Sequence, residues 1–428
     1  MTAAPGTRSS RVLGVLLVAL VALGSAVIAL GAYALVAARS QRGASDALMA
    51  AHLEPGSLPA TLPLRVLGGA WVVDATVGDE RREAATLMLD TGAPTTFLPA
   101  LADRVAGPPV GTVEEVSVTG DRVTRDVVPV GSIGLGGATI ADAAAVAGSL
   151  SLVHPLRCVT EDGLLGADAM SDAVWQLDPS RGRLTIASSM DGLGHVEGES
   201  AIALPFTPST DASPSPIVEL PTATGRLRVV LDTGSDGWLA VHPDDLEAAG
   251  GRVAQDAPSR YATMWTTGPG PFTRIRYGTV DVALGSERVA DLPIATIEAL
   301  EPGLGVVGTG FLRHFVLTID WPGRTIVLDP LDEDGVASLA PAPPLLATVG
   351  WDGDGLTVSS FVDVPEAAEA GLAIGLPVRA VDGREAASLT LREACALALG
   401  PPAPYRLTRS DGTTVPVGAV VDYLGSPT

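Results

Sequence analysis

Lysine is absent from this chain of 428 residues, so each of its 27 basic side chains is an arginine. Against 49 acidic residues they leave a net charge of −22, which argues against nucleic acid and against adhesion to anionic lipid headgroups. Such a balance is that of a solvated acidic surface that maintains solubility. Cysteine is scarce as well. Only Cys158 and Cys395 occur, in segments expected to form different domains, so no disulfide framework is available and a bridge between the two is not expected. The five histidines, His52, His154, His195, His242 and His314, are scattered without H-E-x-x-H or C-x-x-C spacing, and neither a metal site nor a cofactor is expected. The run from Gly131 to Gly137 is spaced wrongly for a dinucleotide loop and reads as strand-turn-strand. No G-x-S-x-G elbow is present, which weakens a serine hydrolase reading. The lack of lysine beside so much Ala, Gly, Val and Pro points to a GC-rich bacterial genome.

What the chain does have begins with one long apolar run. Residues 12–38 carry no charge and are flanked by Arg8 and Arg11 before and Arg39 and Arg42 after. The run exceeds the ~20 residues that a membrane helix requires and the ~7–15 of a secretory signal core. It is therefore expected to be a single uncleaved anchor. The amino terminus adds positive charge to the short tail 1–11, and Asp46 and Glu54 follow on the long side. This places the rest of the chain on the extracytoplasmic face of a cell membrane. Residues 39–61 read as a spacer.

The most informative feature is a tripeptide that occurs twice, Asp90-Thr91-Gly92 and Asp232-Thr233-Gly234, each behind an apolar run. The two aspartates lie 142 residues apart, as do Gly166 and Gly308 in Gly163-Leu164-Leu165-Gly166 and Gly305-Val306-Val307-Gly308, and Asp178 and Asp320 ahead of two further apolar strands. Three anchors with one offset make an internal duplication of domain-sized halves. Residues 62–195 and 196–332 are the two copies. Alternating apolar runs such as Ala70 to Val77 and frequent Gly and Pro favour short strands, with a helix expected from Pro99 to Val105. Residues 207–216, dense in turn formers, read as an exposed loop. Asp178 and Asp320 are expected to orient turns.

The repeated tripeptide suits a specific chemistry. Packed about a pseudo-two-fold axis, the loops would bring Asp90 and Asp232 within hydrogen-bond reach. Two carboxylates so close share one proton and their acidities split, so that one serves as base and the other as acid. Gly92 and Gly234 allow close backbone approach and offer NH donors, while Thr91 and Thr233 can bond across to the opposing loop. The Ser235 hydroxyl could add a bond to its carboxylate, which would leave Asp90, followed by Ala93-Pro94, the less acidic partner.

These loops resemble the active-site loops of the bilobal aspartic peptidases of the pepsin and retropepsin type. Leu164-Leu165-Gly166 and Val306-Val307-Gly308 resemble the element that threads beneath each loop in that family. The resemblance covers roughly residues 62–330 and implies a mainly β fold of two duplicated lobes with a cleft between them. It assigns catalysis to Asp90 and Asp232 and support to Thr91, Gly92, Thr233, Gly234 and Ser235. The family's flap tyrosine has no counterpart in the lobe-one hairpin from Val116 to Val123, so the flap candidates are Tyr261 and Trp265, with Phe272 nearby in lobe two.

From about residue 341 the pattern becomes strand, helix, strand, helix, strands, and Thr390 and Glu393 are spaced as a capping box. Residues 341–428 resemble the small α+β PDZ domains of bacterial envelope proteases, which implies capture of extended peptide ends by strand addition. Together these readings describe a membrane-anchored aspartic endopeptidase acting on protein or peptide substrates. A scaffolding protein of the envelope that has lost turnover is the alternative, disfavoured because both acids are intact.

Overall fold

The computed structural model describes residues 40 to 424 except 81, 117–118, 149–155, 199, 210–212, 266–268, 352–354, 400–403 and 421–422. The apolar run 12–38 lies outside the described residues, among which no helix is long and apolar enough to cross a membrane.

Strands dominate, as the alternating pattern requires, and the duplication governs their arrangement. In the first lobe Ala70–Val77 pairs antiparallel with Glu83–Asp90, with Val72 opposite Met88. Glu83–Asp90 then pairs parallel with Gly163–Gly166, which sets Leu165 beside Leu89 and Gly166 beside Asp90. The second lobe repeats the plan. Pro216–Pro221 flanks Arg226–Leu231, which runs parallel to Gly305–Val307 with Leu231 beside Val307. Each lobe also carries a long hairpin, Arg122–Leu135 with Ala138–Ala147 in the first and Pro269–Leu284 with Glu287–Ile297 in the second.

A sheet beneath both lobes joins them. Val174–Asp178 pairs antiparallel with Phe315–Asp320, so that Gln176 lies opposite Thr318. Those two residues are 142 apart and their side chains bond at 3.0 Å. They are equivalent positions of the two copies, so the pseudo-two-fold axis passes between them. One apolar core runs through both lobes, with Trp71, Trp175, Phe97 and Phe315 wholly buried. Asp178 and Asp320 cap turns: Ser180 and the Arg181 NH donate to the first at 2.6 and 3.0 Å, and the Gly323 NH to the second at 2.8 Å. The helix Pro99–Val105 forms where proline at its first turn favours it.

Two expectations are corrected along the chain. The stretch read as a spacer is integral to lobe one over its described residues. A helix at 40–48 buries Ala44 and Leu48 against Val113, Val127, Ala144 and Val146, and Ala60–Pro63 joins the interlobe sheet beside Arg183–Ala187. Those apolar side chains, spaced one helical turn apart, are what make this stretch pack. The turn-rich segment 207–216 is not simply exposed either. Ser213 and Ser215 are buried, and the Ser213 hydroxyl donates to the carbonyl of Ala93 at 2.9 Å.

The C-terminal unit has its own core around Leu356, Val381, Leu407 and Val417. Its elements follow the expected order, and the capping box forms, with the Glu393 NH donating to the Thr390 hydroxyl oxygen at 3.3 Å and the Thr390 NH to Glu393 at 2.9 Å. It is attached to both lobes. Leu356–Val362 pairs with Arg260–Trp265 of lobe two, with Tyr261 opposite Phe361. Helix Leu391–Leu399 meets lobe one through a disulfide between Cys158 and Cys395, the bond the sequence was not expected to make. Linear separation hid it: the cysteines, 237 positions apart, meet because the C-terminal unit folds back onto the first lobe. Loss of a link closing so long a loop costs about 2–4 kcal/mol. Reductant should therefore lower the thermal midpoint of the native chain, whereas a Cys158→Ser, Cys395→Ser double variant should start lower and ignore reductant.

Candidate active site

Asp90 ends the strand Glu83–Asp90 and Asp232 directly follows the strand Arg226–Leu231, and in each case the chain turns at the following Thr-Gly. The Gly92 NH donates to Asp90 Oδ1 at 2.9 Å and the Gly234 NH to Asp232 Oδ1 at 2.8 Å. Between the loops the threonines bond reciprocally. The Thr91 NH donates to Thr233 Oγ1 and the Thr233 NH to Thr91 Oγ1, both at 3.0 Å. The hydroxyls in turn donate to Leu231 O at 2.6 Å and Leu89 O at 2.8 Å. These are four bonds between two loops, with every polar atom of both threonine side chains inside the protein.

The glycines face the opposite carboxylates. A Cβ on Gly92 would lie 2.5 Å from Asp232 Cγ, and one on Gly234 would lie 2.3 Å from Asp90 Cγ. Any larger residue would push the pair apart, so here glycine supplies space and not an unusual backbone angle. The expected meeting of Asp90 and Asp232 therefore occurs.

Burial, then the neighbouring Asp232 charge, holds the Asp90 carboxyl well above the usual carboxylate range, against the pull of the Gly92 and Ala93 NH groups. Asp232 is also raised by burial, but the bond from Asp90 and the NH groups of Gly234 and Ser235 draw it back. Both acids are thus weakened by folding, Asp90 the further of the two. The expected direction holds while the expected cause does not. It is the Ser235 NH that reaches Asp232 Oδ1, at 3.2 Å, and the Ser235 hydroxyl instead accepts from the Gly237 NH at 3.3 Å.

The lobe-one hairpin Gly111–Val116 with Arg122–Leu135 reaches the other lobe: a Cβ on Gly120 would lie 3.2 Å from Glu301 Oε2. An ion pair of 2.7 Å between Arg125 and Glu115 braces it. Tyr261, one flap candidate, is stacked between Phe272 and Phe361, with ring centroids 5.4 and 5.3 Å away. It fastens the C-terminal unit to lobe two. The Trp265 side chain lies outside the described residues.

Asp168 was not singled out from the sequence. It is wholly buried two residues past Gly166, and Oδ1 accepts from the Thr95 NH at 2.6 Å and the Thr95 hydroxyl at 3.0 Å, so it pins the first active-site loop from below. Oδ2 has no partner, and burial lifts the carboxyl to about 7. The signal was in the offset: the equivalent residue of lobe two is Gly310, so one copy carries an acid that the other lacks. Among the described residues no cluster of His, Cys, Asp and Glu could hold a metal ion.

Residues 73–169 match the family model described as Aspartyl protease. Among solved structures the chain is similar to an aspartic proteinase from Irpex lacteus, at 13% identity and a TM-score of 0.38 over 66% of this chain and 100% of that one. No curated protein matches.

A carboxyl raised by folding keeps a proton that the open chain releases, so stability falls as pH climbs from the ordinary carboxylate range toward the folded value. Asp90→Asn should consequently raise the thermal midpoint at pH 7 and give no gain near ~pH 3, below the ordinary carboxylate range. Asp168→Asn, which preserves an acceptor for Thr95, should flatten the decline in stability between ~pH 4, where an ordinary carboxyl titrates, and about 7. Thermal scans across pH check both. The family match over lobe one, with the paired acids it encloses and faces, supports a peptide hydrolase of the aspartyl type.

Proposed function

We propose that this protein is an aspartic endopeptidase held in the cell membrane by residues 12–38, with its lobes on the extracytoplasmic side. The observation that carries the reading is the facing of Asp90 and Asp232 across loops locked by Thr91 and Thr233. In this mechanism charged Asp232 takes a proton from a water between the two acids. Asp90 gives its proton to the carbonyl oxygen of the scissile amide as the water oxygen bonds to carbon. The resulting diol collapses when Asp232 passes its proton to the amide nitrogen, the carbon–nitrogen bond breaks, and a diol hydroxyl returns a proton to Asp90. No covalent enzyme intermediate forms. The lobe-one hairpin, whose tip reaches Glu301 of lobe two, is read as the cover over the site.

The C-terminal unit is read as a PDZ-like domain. Its strand Ala347–Trp351 ends the extended sheet, with helix Leu391–Leu399 packed beside it. This is the arrangement in which an extended peptide end adds as a strand. Both Asp-Thr-Gly loops are intact and fully bonded, which disfavours a scaffold without turnover.

The test is cleavage of a peptide library by the chain from residue 39 onward, since cutting later would remove the helix that buries Ala44 and Leu48. Asp90→Asn and Asp232→Asn should each lose at least about 1,000-fold in kcat, because each removes one of two coupled proton-transfer roles. A diol-mimicking inhibitor should block the parent. The pH–rate profile should be bell-shaped, its limbs belonging to the pair. Equal activity of parent and variants would reject the assignment.

A further inference from the structure

The two active-site loops match through their first three residues and then diverge. Asp90-Thr91-Gly92-Ala93-Pro94 in lobe one answers Asp232-Thr233-Gly234-Ser235-Asp236 in lobe two, so Asp236 stands where its counterpart is Pro94. The loop geometry therefore does not require an acid there. Ala93, just before that counterpart, is covered by Ser213, whose hydroxyl donates to its carbonyl at 2.9 Å. Asp236 is exposed.

The backbone beneath Asp236 is fixed. The Thr309 NH and hydroxyl donate to Ser235 O at 2.8 and 3.0 Å, and the Gly310 NH donates to Gly237 O at 2.9 Å. With its main chain held on that side, the Asp236 side chain stands off toward lobe one, where a Cβ on Gly69 would lie 3.4 Å from Asp236 Cβ. Gly68 and Gly69 form a turn at φ +58° and +93°. Beyond it, Leu399 of the C-terminal unit would meet a Cβ on Gly68 at 2.6 Å, so the third unit closes that end. Asp236 is crowded enough for burial to raise its carboxyl, yet solvent reaches it. Gly69 stands against it on one side and solvent on the other.

Arg260 favours the charged form of Asp236 without a hydrogen bond to it. Arg260 is engaged elsewhere, donating to Ser360 Oγ at 3.2 Å and to Tyr277. Among the described residues no side chain bonds Asp236. The result is a solvated carboxylate four residues beyond Asp232, at the seam between the lobes, whose one internal donor is its own backbone NH.

We infer that Asp236 is a specificity-determining residue that selects substrates bearing a cationic nitrogen, either a lysine or arginine side chain or a free amino terminus, on the side of the scissile bond along the second active-site loop. This rests on the peptidase reading. The lone pairs that its own NH leaves free are offered to a donor brought by the substrate, and a charged donor makes the stronger bond. The proline in lobe one makes the preference one-sided.

The test uses the full chain and paired peptides that differ only in Arg against Gln at successive positions, each with a free or acetylated amino terminus. In the native protein kcat/KM should favour the cationic member by about ten-fold, through KM, as a partly solvated ion pair allows. Asp236→Asn should erase the preference, and Asp236→Arg should turn it toward Glu-bearing peptides. Loss of the preference on acetylation would assign the cation to the amino terminus, and its persistence would assign it to the side chain. Native protein that cleaves without charge preference, matched by Asp236→Asn, overturns the inference and leaves the peptidase reading standing. If the native protein cleaves nothing, the peptidase reading falls. Binding of the same peptides to Asp90→Asn, with and without Asp236→Asn, then decides on Asp236 alone, equal affinities rejecting it.

Discussion

Everything at the site depends on two threonines that hold each other's loop. Thr91 and Thr233 exchange backbone NH donors and hydroxyl acceptors, and each hydroxyl reaches a carbonyl on the opposite strand. A buried hydroxyl needs its partners, because leaving one unsatisfied costs about 1–3 kcal/mol. Serine would keep the oxygen but lose the methyl group that fixes its rotamer. The lock is placed where it must resist the repulsion of two acids brought together behind it. Glycines on either side then let each carboxylate sit against the neighbouring backbone.

A symmetric frame yields an asymmetric acid. Both aspartates receive comparable backbone donors, and both are lifted by loss of water. The neighbouring charge and the bond between them weigh differently on the two, and Asp90 is raised the further. The surroundings add further differences without disturbing the frame: Asp168 supports only the first loop, and Asp236 decorates only the second. The duplicated scaffold preserves geometry while single substitutions outside it differentiate the halves.

The parts legible in the sequence were those written twice. The 142-residue offset located the loops, the elements beneath them and the turns at Asp178 and Asp320, because a duplicated pattern declares which positions correspond. What escaped depended on contacts between distant segments. Nothing near Cys158 indicates Cys395, since their meeting requires the C-terminal unit to be anchored on both lobes. Residues 40–48 looked like a tether because an apolar pair on so short a helix gives little periodicity until Val113 and Val127 appear opposite. Ser235 was credited with the right effect through the wrong atom: the side chain was visible in the sequence, whereas its NH, common to every residue, was not.

Gln176 and Thr318 occupy the axis at the far end of the molecule, in the sheet under the lobes. In a homodimer, a residue on the two-fold axis must face its own copy, so only self-complementary side chains can stand there. Thr91 and Thr233 still obey that rule. The glutamine facing a threonine does not, and it is available only to a polypeptide in which both halves are fused. Fusion thus freed the base of the molecule to specialise, while the threonine pair at the centre kept the form that a symmetric ancestor would have needed.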